Sequence, residues 1–113
     1  MNLDTIYFDY ILSGKKIYET RIYDEKRKKL KLLDIINFTD RGSDRKFNAQ
    51  IIELSYFSNF EDAIKEVGVK KVLPNAKSLK LGVELYEQFP HAEGTYKKAA
   101  KKYGVLRIKL KVL

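Results

Sequence analysis

The 113-residue chain has no cysteine, no tryptophan, a single histidine, a single methionine and only two prolines. Without cysteine there is neither a disulfide framework nor a thiolate metal site, which fits a reducing, intracellular setting. One histidine, His91, cannot assemble a histidine-rich zinc site, and clustered carboxylates at D-x-D or similar spacing are missing too, so neither a metal nor another cofactor is expected. No apolar run approaches the roughly 18 residues a membrane span needs. The opening "MNLDTIYFDY" carries Asp4 and Asp9 where a secretory leader carries basic residues. The expected protein is cytoplasmic, with a nuclear location left open, and makes no membrane contact.

Hydrophobic residues make up 44% and charged residues 34%, a globular balance for one domain spanning residues 1–113. The formal net charge of +8 is concentrated at the C-terminal end: residues 97–113 hold seven basic side chains and no acidic one. A local excess of that kind attracts polyanions, although a lysine-rich solvated surface has the same composition.

Periodicity orders the elements. "LDTIYFDYILSGK" places Ile6, Tyr7, Tyr10 and Ile11 at helical spacing, with Asp4 as cap and Gly14 as terminator. Strands are expected over residues 16–22, 34–39, 46–56 and 105–112, the middle two forming a hairpin with Arg41, Arg45 and Lys46 near its tip. "YDEKRKKLK" reads as a charged turn or loop. "SNFEDAIKEVG" and "SLKLGVELYEQFP" read as capped helices whose apolar stripes are core. "VKKVLPNAKS" reads as a connection broken by Pro74, and "GTYKKAAKKYG" adds a helical turn. This order implies an α+β fold: a small, strongly curved mixed sheet or barrel with two or three flanking helices.

Within "GKKIYETR", strand alternation puts Glu19 and Arg21 on one face and Thr20 on the other. A solvated ion pair is the purely structural explanation, worth about 0–1 kcal/mol; a preformed polar site at a cleft is the functional one. The segment fits the G-x-K-x-x-E-x-R pattern of the ASCH domain, a PUA-like β-barrel family, with Gly14, Lys16, Glu19 and Arg21 at its fixed positions. "DEKRKKLKLLDIINF", "VLPNAKSLKLGVELYEQFP" and "KKYGVLRIKL" are similar to later family segments in the same order. One departure is Leu33-Asp34, where the family usually has Gly-Asp. Leucine resists positive φ, so a different turn is expected there.

The resemblance implies a PUA-like barrel with a cleft lined by the motif, and a role in binding RNA or a modified nucleoside, with DNA also open as a partner. Lys15, Lys16, Glu19, Arg21, Arg41, Arg45, Lys101, Lys102 and Lys109 are the candidate nucleic-acid contacts. An alternative is a hydrolase acting on RNA or a modified nucleoside, either a metal-independent ribonuclease or similar to N4-acetylcytidine amidohydrolases. Lys16 and Glu19 would then be catalytic. In those amidohydrolases a threonine occupies the position of Glu19, which weighs against the same mechanism; Glu84 and Glu87 are candidates for a further acid. A protein-interaction adaptor is a third alternative. Neither residue of the motif is expected to fill the core, so substituting Lys16 or Glu19 is expected to change melting temperature little. Oligomeric state is left open.

Overall fold

Alternating apolar residues in the two longest strands set the architecture. In the computed structural model, which describes residues 1–113, the chain runs β1 (Asn2–Leu3), α1 (Thr5–Leu12), β2 (Tyr18–Ile22), a 3-10 turn (Arg27–Lys29), β3 (Ile35–Asp40), β4 (Lys46–Phe57), α2 (Phe60–Lys65), α3 (Val69–Val72), α4 (Leu79–Glu87), β5 (Pro90–His91), β6 (Gly94–Thr95), α5 (Tyr96–Tyr103) and β7 (Val105–Val112). Five strands form one sheet in the order β1-β3-β4-β7-β2, with β1 parallel to β3 and the other pairs antiparallel. The sheet is mixed and curls into a half-barrel, and β5 and β6 make a separate two-stranded ribbon.

Because side chains alternate across a strand, β7 feeds two cores. Leu106, Ile108 and Leu110 join Leu3, Phe8, Ile11, Phe38 and Ile51 on one side. Val105 joins Tyr18, Ile22 and the helix residues Phe60, Ile64, Val72 and Tyr86 on the other. A register irregularity between Ile51 and Glu53 sits midway along β4, where an extra residue bends the strand.

The four expected strands are present with ends shifted by at most two residues. Asn59 and Ser78 cap α2 and α4 by accepting from the Asp62 and Leu81 amides at 2.8 and 3.2 Å. Gly14 ends α1 with φ of 83°. Asp4 stands at the start of α1 but makes no cap hydrogen bond; its carboxylate faces Arg41 at 3.2 Å instead.

The helix count is five rather than two or three. The "VKKV" of the expected connection makes the single turn α3, pulled into shape by burying Val72 and Leu73 completely. "YKKAAKKY" forms all of α5, capped by Thr95 and anchored through Tyr96, Ala99 and Ala100. Leu33 also departs from expectation. It takes φ of 73°, so the left-handed turn is kept despite the leucine. The turn is fixed from both sides: the Leu33 amide donates to the Ile51 carbonyl at 2.8 Å, and the Lys31 amide to the Asp34 carboxylate at 2.9 Å. Those bonds impose the conformation on a residue that disfavours it by about 1–2 kcal/mol.

Candidate functional site

The two edge strands of the half-barrel, β1 and β2, are not hydrogen-bonded to each other. Between them lies a cleft of about 170 Å³, whose floor and walls include Asn2, Tyr7, Glu19, Thr20, Arg21, Arg41, Tyr86, Phe89 and Tyr96. Arg21 crosses the gap, donating to the Asn2 carbonyl at 3.2 Å and to Glu19 Oε2 at 3.2 Å.

Glu19 is the centre of the arrangement and is only 4% exposed. Its Oε1 accepts from the Thr20 amide at 3.0 Å and from the Tyr86 hydroxyl at 3.0 Å, with Lys16 Nζ 3.4 Å away. Its Oε2 has Arg21 as its hydrogen-bond donor, which leaves acceptor capacity on the oxygen paired across the cleft. Burial on its own would push the carboxyl pKa up. The charges of Lys16 and Arg21, with hydrogen bonds from Tyr86 and Lys16, outweigh it and hold the group at about 2. The carboxylate is therefore ionised throughout the neutral range.

Lys16 lies behind this carboxylate and is 2% exposed. Its ammonium donates to the Val72 carbonyl of α3 and to the Tyr86 hydroxyl of α4, the latter at 3.0 Å, and faces Glu19. Burial drives its pKa down, and Glu19 pulls it partly back. All three N–H donors point at protein acceptors, and Lys16 is not part of the cleft wall. It acts on the cleft through Tyr86 and Glu19. The phenol of Tyr86 is raised well above the ordinary value of 10 by burial first and by the Glu19 charge next, so it stays a neutral donor. Its ring is clamped by stacking on Phe60, with centroids 5.2 Å apart and planes 6° from parallel. For Arg21, burial opposes the charge, but Glu19 more than offsets it and raises the guanidinium pKa further.

The expectation that Lys16 and Glu19 take no part in the core is corrected by this geometry. A buried lysine and glutamate tie β2 to α3 and α4, and neither can be removed without leaving a buried partner.

Of the other sequence candidates, Arg21 and Arg41 meet at the cleft, and Arg41 is exposed and paired with Asp4. Lys15 is exposed beyond the end of α1 and lies outside the cleft wall. Arg45 is engaged at the hairpin tip, paired with Asp9 at 3.0 Å and Asp40 at 2.9 Å and stacked over Phe8. Lys101 and Lys102 are exposed on α5, where Lys102 pairs with Glu93, and Lys109 lies over the Tyr18 ring; none of the three lines the cleft. Glu84 and Glu87 are absent from the wall as well. Thr20, read as facing away from Glu19, is among the residues lining the cleft although it is fully buried, and its Oγ1 has no hydrogen-bond partner.

Sequence reasoning passed over Asn2, Tyr7, Phe89 and Tyr96. The aromatic residues of α4 and α5 lie in apolar stripes that read as core, and Tyr86 and Tyr96 are in fact both core and cleft wall. Asn2 carried no signal, since a two-residue strand has no periodicity.

Solved structures similar over the whole chain include those of PH0355 and PF0455. The crystal structure of hypothetical protein PH0355 matches at 34% identity with a TM-score of 0.85, covering 100% of this chain and 96% of that one. The solution NMR structure of protein PF0455 from Pyrococcus furiosus matches at 27% identity with a TM-score of 0.72, covering 100% and 98% of the two chains. No family model matches the sequence, and no curated protein is significantly similar to it.

Proposed function

We propose that this chain, which belongs to the same family as hypothetical protein PH0355, is a binding module for RNA or a modified nucleoside. The base enters the cleft between β1 and β2. The observation that carries this reading is the buried, ionised Glu19, held by Tyr86, Lys16 and Arg21 in the wall of a cleft that aromatic residues line. A fixed carboxylate accepts from the amino or ring N–H of a base. Tyr7, Phe89 and Tyr96 offer apolar and π surface beside it, and Arg21 and Arg41 supply cations. The ASCH-like motif adds to this reading, since its Lys16, Glu19 and Arg21 are the residues of the network.

The same geometry weighs against hydrolysis with Glu19 as base. A general base works best with a pKa near the operating pH, and at about 2 the carboxylate is a weak one. Tyr86 is held neutral, and the Lys16 donors are all engaged.

The test is a calorimetric and NMR titration with the four ribonucleosides, N4-acetylcytidine, and short single-stranded RNA and DNA oligomers. Binding is expected to perturb amide signals at Arg21, Phe89 and Tyr96, and Glu19→Gln is expected to weaken it 10- to 100-fold, the cost of about 1.5–3 kcal/mol for losing a hydrogen bond to a charged group. A ligand that shifts only Lys101, Lys102 and Lys109 refutes the cleft as the site. Release of acetate or of shortened RNA during the titration establishes the hydrolase instead.

A further inference from the structure

Beside the base cleft lies a second chamber of about 380 Å³, and the two share Asn2, Arg21 and Arg41 as a common wall. The chambers differ in chemistry. The first holds Asp4 and Glu19 and four aromatic rings; the second has four cationic side chains, Arg21, Lys26, Arg27 and Arg41, and no acidic residue. Its remaining wall includes Leu30, Ile35 and Ile36 from the 3-10 turn region and β3.

The four cations are not equally committed. Arg27 is braced by Asp24 at 2.9 Å, Arg41 by Asp4 at 3.2 Å and Arg21 by Glu19 at 3.2 Å, whereas Lys26 has no acidic partner. Their convergence is registered by the Met1 amine, whose pKa is lowered by burial first and then by the charges of Arg21, Lys26 and Arg27. With the three arginines partly neutralised by their carboxylates, the uncompensated charge of the chamber centres on Lys26, and an anion there would meet three further guanidiniums. Arginines held in place by carboxylates present their remaining N–H groups in fixed directions, which suits the tetrahedral oxygens of a phosphate.

Resting on the reading of the first chamber as a base site, we infer that the second chamber is a phosphate subsite and that the ligand is a nucleotide or an oligonucleotide rather than a free nucleoside. Arg21 and Arg41 stand at the junction, where the sugar joins the two groups. The polyanion path then runs through the 3-10 turn and the hairpin tip, not along the lysines of α5 and β7. At about 170 Å³ the base chamber falls below the roughly 300–1,000 Å³ typical of small-molecule sites, whereas its neighbour, at about 380 Å³, lies within that range.

The experiment compares each ribonucleoside with its 5′- and 3′-monophosphates by calorimetry, on the parent protein and on Lys26→Glu and Lys65→Glu. Lys26 and Lys65 are both exposed, and neither makes an ion pair, so both variants are expected to fold. One monophosphate is expected to bind at least about tenfold tighter than its nucleoside, with Lys26→Glu collapsing that ratio towards one and Lys65→Glu, the same charge change on α2, preserving it. Equal binding of nucleoside and monophosphate overturns the subsite while leaving the base cleft standing. A phosphate preference that Lys26→Glu does not touch also overturns it, because the phosphate then sits elsewhere. If neither nucleosides nor nucleotides bind, the base-site reading fails and this inference goes with it.

Discussion

Replacing Lys16 by methionine tests the buried network most directly. The two side chains are similar in length, so the change removes an ammonium while leaving most of the volume filled. In the parent, that ammonium faces Glu19 Oε1 at 3.4 Å, donates to Tyr86 at 3.0 Å and satisfies the Val72 carbonyl. Its loss strands a buried carbonyl, at about 1–3 kcal/mol, and takes one of two cations from a carboxylate that is 4% exposed. Breaking a buried ion pair costs about 3–5 kcal/mol when the surviving charge is left alone. Here Arg21 remains at 3.2 Å, so the low end, about 3 kcal/mol, is expected. Against a total stability of roughly 5–15 kcal/mol for a domain this size, that is a large fraction. Glu19→Gln alone is expected to cost a similar amount by leaving the Lys16 ammonium buried without an anion. The pair Lys16→Met with Glu19→Gln is expected to cost less than the two single changes together, by more than about 1 kcal/mol. Urea denaturation of the four proteins at pH 7 gives the cycle. Single losses below 1 kcal/mol, or strict additivity, would show that the charges do not hold β2 to the helices and would refute the argument.

Acid titration supplies a second expectation. Glu19 falls from an ordinary 4.5 to about 2 in the folded protein, so its contribution is present above about pH 4.5 and is lost as pH drops through 2; the fall, at about 1.4 kcal/mol per tenfold change, corresponds to about 3 kcal/mol, and Glu19→Gln should lack that part of the acid limb in a pH series of unfolding curves. At the exposed Leu33, glycine relieves a positive φ without uncovering any core; the gain of about 1–2 kcal/mol less the entropy of a freer unfolded chain leaves a net gain of up to about 1 kcal/mol, seen as a melting temperature higher by at most about 4–8 °C. Lower stability would mean that the leucine side chain makes contacts worth more than its strain. Gly82→Ala should do the opposite. A surface helix gains about 1 kcal/mol from this change, but here the new Cβ would stand 2.6 Å from Val69 Cγ2, so either the stiff, β-branched Val69 or the spacing of α4 from α3 must shift, and a net loss of about 1 kcal/mol or more is expected by thermal melting.

How much of this was legible in the residues depended on length. Strands of five or more residues repeat their alternation often enough to be recognised, and β2, β3, β4 and β7 fall where the pattern put them. β1 and the β5–β6 ribbon have two residues per strand, and only tertiary pairing defines them. The single turn α3 exists because Val72 and Leu73 are drawn into the core against β2 and α2, a cause that no local propensity carries. At the site, alternation placed Glu19 and Arg21 together, and they are bonded. It could not tell Lys15 from Lys16, identical neighbours of which one is exposed and the other buried. Nor could it pick Lys26 and Arg27 out of "DEKRKK", where six charges in a row look like an ordinary solvated turn. Their meaning comes from β1 and the hairpin tip closing over them, which is a property of topology rather than of the segment itself.

The unjoined seam between β1 and β2 has a mechanical consequence. A barrel closed by a continuous ladder has a fixed circumference, because widening it means breaking a row of hydrogen bonds at once. This half-barrel is spanned at its gap by a guanidinium reaching the Asn2 carbonyl at 3.2 Å. Letting go of that bond, made by a charged donor, costs about 1.5–3 kcal/mol, roughly 2.5–5 times the thermal energy. The seam can therefore part at the expense of one bond while every strand pairing stays intact, like a clasp on an otherwise rigid cuff.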